Sequence, residues 1–345
     1  MSVPRRELLQ IGSAFAAATL AGYRCVEAAA EDHASPNRPA ALISRAEASS
    51  IATPRLALNT STLRGQQLTV PEQISVTADA GYDGIELWIR DLRAYLQAGG
   101  TVSELRSQLD SAELELSGAI GFATWIVDDE AEREAGLEEA RRDMKLVAEL
   151  GGKFIAAPPV GAHRPEMLAG GRPLDLDVIA RRYATLLETG QKLGVTPLLE
   201  LWGFSLTLSR LAELAYVATA AGSDAAAVLP DFYHLYKGGN PMAGLGMIEA
   251  QRMPLFHIND YPAEPARETI SDEHRVFPGD GICPLVPTIA MLLRHGFAGT
   301  FSLELFNREY WGRPASEVAA EGARKCRRVI AAAVEAAKSP TGDRV

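Results

Sequence analysis

Four short apolar runs in this 345-residue chain each end on a side chain that can bind a metal ion. The runs are LLELW, VLPDFYH, LFHIND and FSLEL, and the side chains are Glu200, Asp231, His257 and Glu304. Carboxylates brought together without a counter-charge repel one another and are costly to bury. A divalent cation removes that cost, and three carboxylates with one imidazole suit Mn²⁺, Mg²⁺, Co²⁺ or Fe²⁺, with Zn²⁺ also possible. These residue types therefore predict one divalent metal site, provided that the four runs end at one place.

The chain from Arg55 onward repeats a pattern in which a helical stretch ends at a glycine and a short apolar run follows. The clearest copies are AGYDGIELW, ELGGKFIAAPP, KLGVTPLLELW and RHGFAGTFSLEL. Glycine is the usual left-handed cap after a helix, and apolar runs that do not alternate are typical of strands buried on both faces. Completing the pattern predicts eight strands, at about 55–59, 84–88, 114–119, 153–157, 196–201, 226–231, 254–259 and 300–305.

Eight alternations of strand and helix predict a (β/α)8 barrel over residues 54–340. A doubly wound open sheet is the alternative, but no GxGxxG or GxxxxGK turn follows the first strand, which disfavours it. In a (β/α)8 barrel the carboxyl ends of the strands form the rim that carries the chemistry. The last four strands would then bring Glu200, Asp231, His257 and Glu304 to the same rim.

The first 53 residues predict an export signal and a linker. Arg5-Arg6 precede a mild apolar run from Ile11 to Ala21, which is typical of a twin-arginine signal peptide, here over residues 1–30. The run is too short for a stable membrane span, which takes about 20 residues. Residues 31–53 are rich in Ala, Ser and Pro and are predicted to be a linker. We therefore expect an exported, periplasmic protein, with a cytoplasmic protein as the alternative.

Several motifs in the second half of the chain resemble those of a known enzyme family. They are PLLELWG, DFYHLYKGGN, FHINDYP, RVFPGDG and SLELFNREYW, and they are similar to motifs of the xylose isomerase-like TIM barrel family of sugar isomerases and epimerases, nearest to its inosose isomerase branch. The similarity runs from about Leu56 to Trp311. It implies that Glu200, Asp231, His257 and Glu304 hold one divalent metal, and that Glu200 and Glu304 also act as catalytic acid–base groups.

The resemblance also implies which residues contact a small polyol or sugar substrate. His234, three residues after Asp231, is expected to hold a substrate oxygen. Arg275, before a Pro-Gly turn, is expected to bind substrate oxygens and to stabilise negative charge, for which its fixed charge and fork of donors are suited. Asn59, at the end of the first strand, matches the inosose isomerase pattern and is expected to donate a hydrogen bond to substrate. Glu86 and Trp202 are expected contacts from their positions at the ends of the second and fifth strands, with packing under loops as an equal alternative for the Trp202 ring.

The predicted activity is an isomerisation that moves a ketone between adjacent carbons of a keto-inositol or similar polyol through a metal-bound enediolate. The same intermediate also permits epimerisation, or elimination by a dehydratase or lyase acting on a keto-sugar or keto-glycoside. Leu206 stands where related ketose epimerases have a second glutamate, which disfavours a free-sugar epimerase. Lys237 has no clear counterpart in these motifs and is a candidate for shifting the preference toward an acid or phosphate.

Two classes outside sugar isomerisation are disfavoured by composition and motif. The net charge of −10 repels phosphate backbones, so no nucleic-acid partner is expected. The same charge and the small number of histidines, six, argue against a DNA-repair endonuclease on this barrel. A non-catalytic sugar-binding module is the other alternative, and the intact acid and histidine positions disfavour it. A homo-oligomer is compatible with the sequence.

Overall fold

The computed structural model describes residues 51–339, so the predicted signal peptide and most of the predicted linker lie outside the described residues. Within residues 51–339 the chain forms eight strands, each starting and ending inside or within one residue of its predicted range. They are β1 Arg55–Asn59, β2 Gly84–Trp88, β3 Glu115–Ile120, β4 Phe154–Ala157, β5 Thr196–Glu200, β6 Val228–Leu229, β7 Leu255–Ile258 and β8 Thr300–Leu303.

The α-helices of the described residues follow and separate these strands. They are α1 Val70–Asp79, α2 Ile89–Gln97, α3 Val102–Ser111, α4 Glu130–Glu149, α5 Leu176–Leu193, α6 Leu211–Ala220, α7 Phe232–Lys237, α8 Leu285–Arg294, α9 Arg308–Trp311 and α10 Ala315–Lys338. Short 3₁₀ segments occupy several loops, at Thr60–Gln66, Pro165–Met167, Ala169–Gly171, Met242–Met247, Ala250–Arg252 and Asp272–His274.

Helix α5 shows why the sequence pattern located the helix ends. Asp175 begins it by accepting hydrogen bonds from the backbone N–H groups of Asp177 and Val178. Gly194 ends it in the left-handed conformation at φ 71°. A side-chain acceptor at the start and a glycine at the end satisfy backbone groups that the helix itself leaves unpaired.

The strands form one parallel sheet in the order β6-β5-β4-β3-β2-β1-β8-β7. A single parallel bridge between Asp231 and His257 joins the two outer strands and nearly closes the barrel. In that bridge the backbone N–H of His257 donates to the carbonyl of Pro230 at 2.9 Å. Strand β6 is short because Pro230 has no N–H to continue the ladder and Asp231 already begins α7. The predicted (β/α)8 barrel is confirmed.

Side-chain alternation along each strand separates the barrel interior from the layer beneath the helices. One apolar cluster fills the interior, formed by Trp88, Ile120, Ala156, Leu198, Ala227, Leu229 and Leu255. Glu200 and His257 each follow a member of this cluster by two residues, so they share its side of the sheet. The site therefore sits on top of a packed interior, at the carboxyl end of the strands.

No helix in the described part of the chain is long and apolar enough to cross a membrane.

Candidate active site

Three of the four predicted metal ligands converge. One ligand atom from each of Asp231, His257 and Glu304 lies within 4.8 Å of the others. All three side chains are buried, with 0%, 0% and 4% of their surface exposed. Asp231 and His257 come from the two strands that close the barrel, and Glu304 follows β8, which pairs with β7. The topology of the barrel, rather than any local motif, brings these residues together.

Asp231 is held from three sides. Its Oδ1 accepts a hydrogen bond from the backbone N–H of His234 at 2.7 Å, which caps the short helix α7. Its Oδ2 accepts from Asn259 Nδ2 at 2.8 Å and from Arg275 Nη1 at 2.9 Å. The orientation of this carboxylate is therefore set by a helix cap, an amide and a guanidinium.

His257 directs one ring nitrogen at the buried carboxylate of Glu86 and the other at Asp231 and Glu304. We call Asp231, His257 and Glu304 together the ligand group. Nε2 lies 3.0 Å from Oε2 of Glu86. Nδ1 lies 3.3 Å from Oε2 of Glu304 and 3.8 Å from Oδ2 of Asp231, yet it has no well-aligned hydrogen bond among the described residues. Burial opposes a charge on the ring, but Glu304 and Glu86 raise the pKa of His257 well above its usual value. A cation would have to displace that proton.

These donors fit a divalent cation. Nδ1 of His257 is a buried polar atom without a hydrogen-bond partner among the described residues, and it faces the carboxylates of Asp231 and Glu304. A second carboxylate behind a ligating histidine, as Glu86 is placed here, is the usual arrangement that fixes the tautomer and ring orientation. The group Asp231, His257 and Glu304 is thus a possible three-residue metal site.

Arg275 supplies the positive charge that balances these acids in the protein alone. Its side chain is fully buried, and Nη1 donates to Asp231 Oδ2 at 2.9 Å and to Glu304 Oε2 at 2.7 Å. Nη2 donates to Oδ1 of Asp272 at 2.6 Å. Burial would raise the pKa of Glu304, but His257 and Arg275 hold it well below its usual range. The structure therefore places Arg275 between the ligand group and the cleft.

Glu200 lies at the end of β5 and lines the cleft, but it is outside the group of three whose ligand atoms are within 4.8 Å. Burial, together with the negative charge of Glu304, raises the pKa of Glu200 to about 8, although His257 opposes the shift. A carboxyl group with this pKa carries a proton at neutral pH. Its predicted role as a fourth ligand stays a prediction.

A cleft of about 170 Å³ opens above the ligand group. Pockets for drug-sized ligands are roughly 300–1,000 Å³, so this cleft has room for a single six-membered ring. Its walls include Glu200, Glu304, His234, Arg275 and Asp272, and a row of aromatic residues, Trp88, Phe122, Trp202, Phe204 and Phe306. Three of the five predicted substrate contacts, His234, Arg275 and Trp202, therefore line it.

His234 is neutral, and one of its ring nitrogens can donate a hydrogen bond to a ligand. Burial, with the nearby positive charge of Arg275, lowers the pKa of His234 to about 3. Its Nε2 lies 3.0 Å from Nη2 of Arg275. Because a guanidinium can only donate, Nε2 accepts and Nδ1 carries the proton. Nδ1 has no partner among the described residues, which leaves a donor for a ligand oxygen.

Asn59 and Glu86, the other two predicted substrate contacts, do not line the cleft. Both are fully buried beneath the ligand group. Oε2 of Glu86 accepts from Asn59 Nδ2 at 2.8 Å and from Ser302 Oγ at 2.8 Å, besides its contact with His257. Asn59 Nδ2 also donates to Oε1 of Glu304 at 3.1 Å. The structure gives both residues a supporting position, where they orient the ligands instead of facing a substrate.

Two further site residues were not assigned from the sequence, and one suggestion is corrected. Asn259 holds Asp231, and it could have been found because it follows His257 by two residues on the same side of the strand. Asp272 pairs with Arg275 from a loop, where no periodic pattern indicated it. Lys237 does not face the cleft, because its Nζ donates to the carbonyls of Arg267, Glu268 and Ile270 at 3.2, 2.9 and 2.8 Å.

Comparison with known proteins identifies the family. A family model described as the xylose isomerase-like TIM barrel matches residues 74–329. The chain belongs to this family. Among family relatives, the inosose isomerase of Bacillus velezensis is 25% identical over 239 residues, which cover 69% of this chain and 83% of that protein.

Two further comparisons extend the range of similar proteins. The 3-dehydroshikimate dehydratase of Pseudomonas aeruginosa is 28% identical over 268 residues, covering 74% of this chain but 39% of that longer protein. A crystal structure of IolI protein with a bound zinc atom superposes with a TM-score of 0.72 at 20% identity, covering 80% of this chain and 98% of that chain. The relatives support an enzyme of the sugar isomerase or dehydratase type.

Proposed function

We propose that this protein is a divalent-metal-dependent enzyme that moves a ketone between adjacent carbons of a keto-inositol or a similar cyclic polyol. The observation that carries the proposal is the group formed by Asp231, His257 and Glu304, whose ligand atoms lie within 4.8 Å of one another next to a ring-sized cleft. The similarity to inosose isomerase supports the choice of substrate.

Asp231, His257 and Glu304 would hold the cation, with Glu200 as the predicted fourth ligand. When bound, a divalent cation supplies Lewis-acid chemistry that polarises a carbonyl and stabilises negative charge on substrate oxygens. The supporting residues Glu86, Asn59 and Asn259 fix the orientation of the ligands through the hydrogen bonds described above. Arg275, which is always protonated, adds a fixed positive charge next to the same oxygens.

Glu200 and Glu304 are the groups proposed to take the proton from one substrate carbon and return it to the next. Both line the cleft. Asn59 donates to Oε1 of Glu304 and Arg275 donates to its Oε2, so the orientation of this carboxylate is fixed at the cleft. A proton-transferring group must lie within hydrogen-bond reach of its proton, and a ring seated in this cleft would be in contact with both carboxyls.

His234 and Arg275 are proposed to hold the substrate oxygens. Both line the cleft, and each has a buried nitrogen without a partner among the described residues, Nδ1 of His234 and Nε of Arg275. A buried donor left unpaired costs free energy that a ligand oxygen recovers. Trp202 offers a ring face for the C–H side of a polyol at the same cleft.

Elimination is the second candidate reaction. The dehydratase of Pseudomonas aeruginosa has a higher identity to this chain than the inosose isomerase of Bacillus velezensis, 28% against 25%. Loss of a hydroxyl or alkoxide next to the enolised carbon would need the same ligands and the same acid–base pair. The two reactions differ in their products, because elimination leaves a carbon–carbon double bond.

One incubation separates these candidates. The Mn²⁺-loaded protein is mixed with scyllo-inosose in heavy water, and the products are followed by NMR. The isomerase proposal expects deuterium at the carbons next to the ketone, and Glu304→Gln should abolish this exchange while the circular dichroism spectrum is unchanged. Release of an unsaturated product would favour the eliminase. Binding without exchange or product would instead support the sugar-binding module.

We also propose that the protein is exported through the twin-arginine pathway. The proposal depends on Arg5-Arg6 and the short apolar run after them, which lie outside the described residues. The full chain would be expressed in a bacterium with an intact pathway, and the periplasmic fraction assayed by immunoblot. Replacing both arginines with lysine should move the protein to the cytoplasm. An unchanged distribution would contradict the proposal.

A further inference from the structure

A continuous row of aromatic rings extends from the cleft to the protein surface. We call it the aromatic row and define it as Trp88, Phe122, Trp202 and Phe204. The ring centroids of successive members are 5.2, 6.3 and 5.3 Å apart. The last pair, Trp202 and Phe204, is stacked with 29° between the ring planes. All four residues line the cleft.

The members of the row differ in exposure: Trp88 is buried, Trp202 is half-buried, and Phe122 and Phe204 are exposed. Trp88 is 6% exposed, whereas Phe122 is 39% and Phe204 is 44% exposed. Single exposed apolar residues are common on protein surfaces, but contiguous apolar patches usually mark a binding surface. Here the two exposed rings continue a buried aromatic wall at the mouth of the site, so the exposed patch and the cleft form one surface.

The loop that carries Phe204 is held in place before any ligand arrives. Gly203 packs against α7 so closely that a Cβ atom there would lie 2.1 Å from the carbonyl oxygen of His234. The backbone N–H of Ser205 donates to the carbonyl of Trp202 at 2.8 Å, and Ser205 Oγ donates to the carbonyl of Thr207 at 2.5 Å. A rigid loop presents an aromatic ring with little further loss of conformational entropy. The fixed backbone of this loop therefore keeps the Phe204 ring exposed.

The row and the acidic group occupy different sides of the cleft. The row comes from β2 and the loops after β3 and β5, whereas Asp231, His257 and Glu304 come from β6 to β8. One polyol ring of the proposed substrate would occupy most of the cleft of about 170 Å³. A ring bound at the acids would leave the exposed surface of Phe122 and Phe204, at the mouth of the cleft, without an apolar contact, because a polyol without a further substituent has nothing apolar to reach it.

We infer that the substrate carries a flat apolar substituent, such as the aromatic aglycone of a keto-glycoside, which stacks on the exposed surface of Phe122 and Phe204 at the mouth of the ring-sized cleft. This inference rests on the proposed function for the position of the polyol ring and adds a second subsite to it. Aromatic rings prefer offset stacks or edge-to-face contacts at centroid distances of about 4.5–7 Å, which is the spacing already present within the row.

Binding of unreactive glycosides tests the subsite without requiring catalysis. Affinities for 4-nitrophenyl β-D-glucopyranoside and methyl β-D-glucopyranoside would be measured by calorimetry on the Mn²⁺-loaded protein. We expect the aryl glycoside to bind about tenfold more tightly, the size of a stacking contribution from one to two rings. The double variant Phe122→Ala, Phe204→Ala should reduce that preference to less than about twofold, whereas Phe204→Trp should preserve it.

A matched control is available in Tyr216, a 46% exposed aromatic residue on α6 that does not line the cleft. Tyr216→Ala should leave the aryl preference unchanged. The inference is overturned if the wild-type protein binds both glycosides equally, if neither binds at millimolar concentration, or if the double variant keeps the preference. It is also overturned if the double variant alters the oligomeric state but not the preference, since the rings would then contact a second chain.

This experiment and the heavy-water experiment fail independently. Aryl selectivity that depends on Phe122 and Phe204, without deuterium exchange from scyllo-inosose, would leave the subsite in place and contradict the isomerase proposal. Exchange from scyllo-inosose, without aryl selectivity, would leave the reaction in place and contradict the subsite.

Discussion

Replacing Glu86 with glutamine should weaken cation binding although Glu86 is not a predicted metal ligand. Oε2 of Glu86 lies 3.0 Å from Nε2 of His257 and so directs the opposite nitrogen, Nδ1, toward Asp231 and Glu304. A carboxylate in this position makes the imidazole a stronger ligand and fixes its ring orientation. Glutamine has nearly the same shape and keeps an acceptor oxygen, so the substitution chiefly removes the negative charge.

The expected loss of cation affinity in Glu86→Gln follows from the hydrogen bonds that Oε2 of Glu86 accepts. Asn59, Ser302 and His257 all lie within 3.0 Å of this one oxygen, whereas Oε1 has no partner among the described residues. The glutamine oxygen can therefore accept the same three bonds, but from a neutral group. Hydrogen bonds to a charged acceptor are about twice as strong as neutral ones, which contribute about 1 kcal/mol. The loss at His257 is then about 1–1.5 kcal/mol, or roughly five- to tenfold in affinity.

The assay is calorimetric titration of the metal-free protein with Mn²⁺ at fixed pH, comparing wild type, Glu86→Gln and Ser302→Ala. Ser302→Ala is the matched control because it removes one donor from the same oxygen and leaves the charge and the contact with His257. We expect less than about a twofold change for this control, given how little a neutral donor alters a carboxylate. Equal Mn²⁺ affinity of Glu86→Gln and wild type would refute the role assigned to Glu86.

Two further predictions concern the metal-free protein. Arg275→Met should lower the free energy of unfolding by roughly 3–5 kcal/mol, because the buried Asp231 and Glu304 lose their counter-charge. Mn²⁺ should restore much of the lost stability. An equal loss with and without Mn²⁺ in urea titrations would contradict this role of Arg275. Because the pKa of Glu200 is raised to about 8, its contribution to stability should be greatest below about pH 4.5 and should decrease as pH rises from about 4.5 to 8, since the unfolded chain ionises first. Glu200→Gln should remove up to about 5 kcal/mol of this decline, and an unchanged pH profile in the variant would show that another group is responsible.

The barrel could be predicted because four of its strands are marked twice, by a glycine cap before the run and by uninterrupted apolar residues within it, and the same spacing located the others. Helix α5, between Asp175 and Gly194, is an example in which both ends follow from capping chemistry. The convergence of Asp231, His257 and Glu304 could be predicted because every parallel strand of a barrel ends at the same rim. These inferences require the order of the elements and no side-chain coordinates.

The positions of the supporting residues could not be predicted in the same way. Glu86 was expected at the cleft because it lies close to the carboxyl end of β2, but the register of β2 against β3 shifts between Ile85 and Glu86. The carboxylate lies beneath His257. Lys237 was expected to influence substrate choice, yet it donates to carbonyls of a loop thirty residues further along the chain. Register shifts and loop paths depend on packing between distant segments, which no local pattern records.

The central claim is that one divalent cation is held where the last strands of the barrel meet. Crystals grown without chelator and soaked in Mn²⁺ would be measured at a wavelength where manganese scatters anomalously. We predict one strong anomalous peak within about 2.5 Å of ligand atoms from Asp231, His257 and Glu304, a distance typical of divalent cations with oxygen and nitrogen ligands. A map without a peak at this group, from crystals in which Mn²⁺ is present in excess, would contradict the claim.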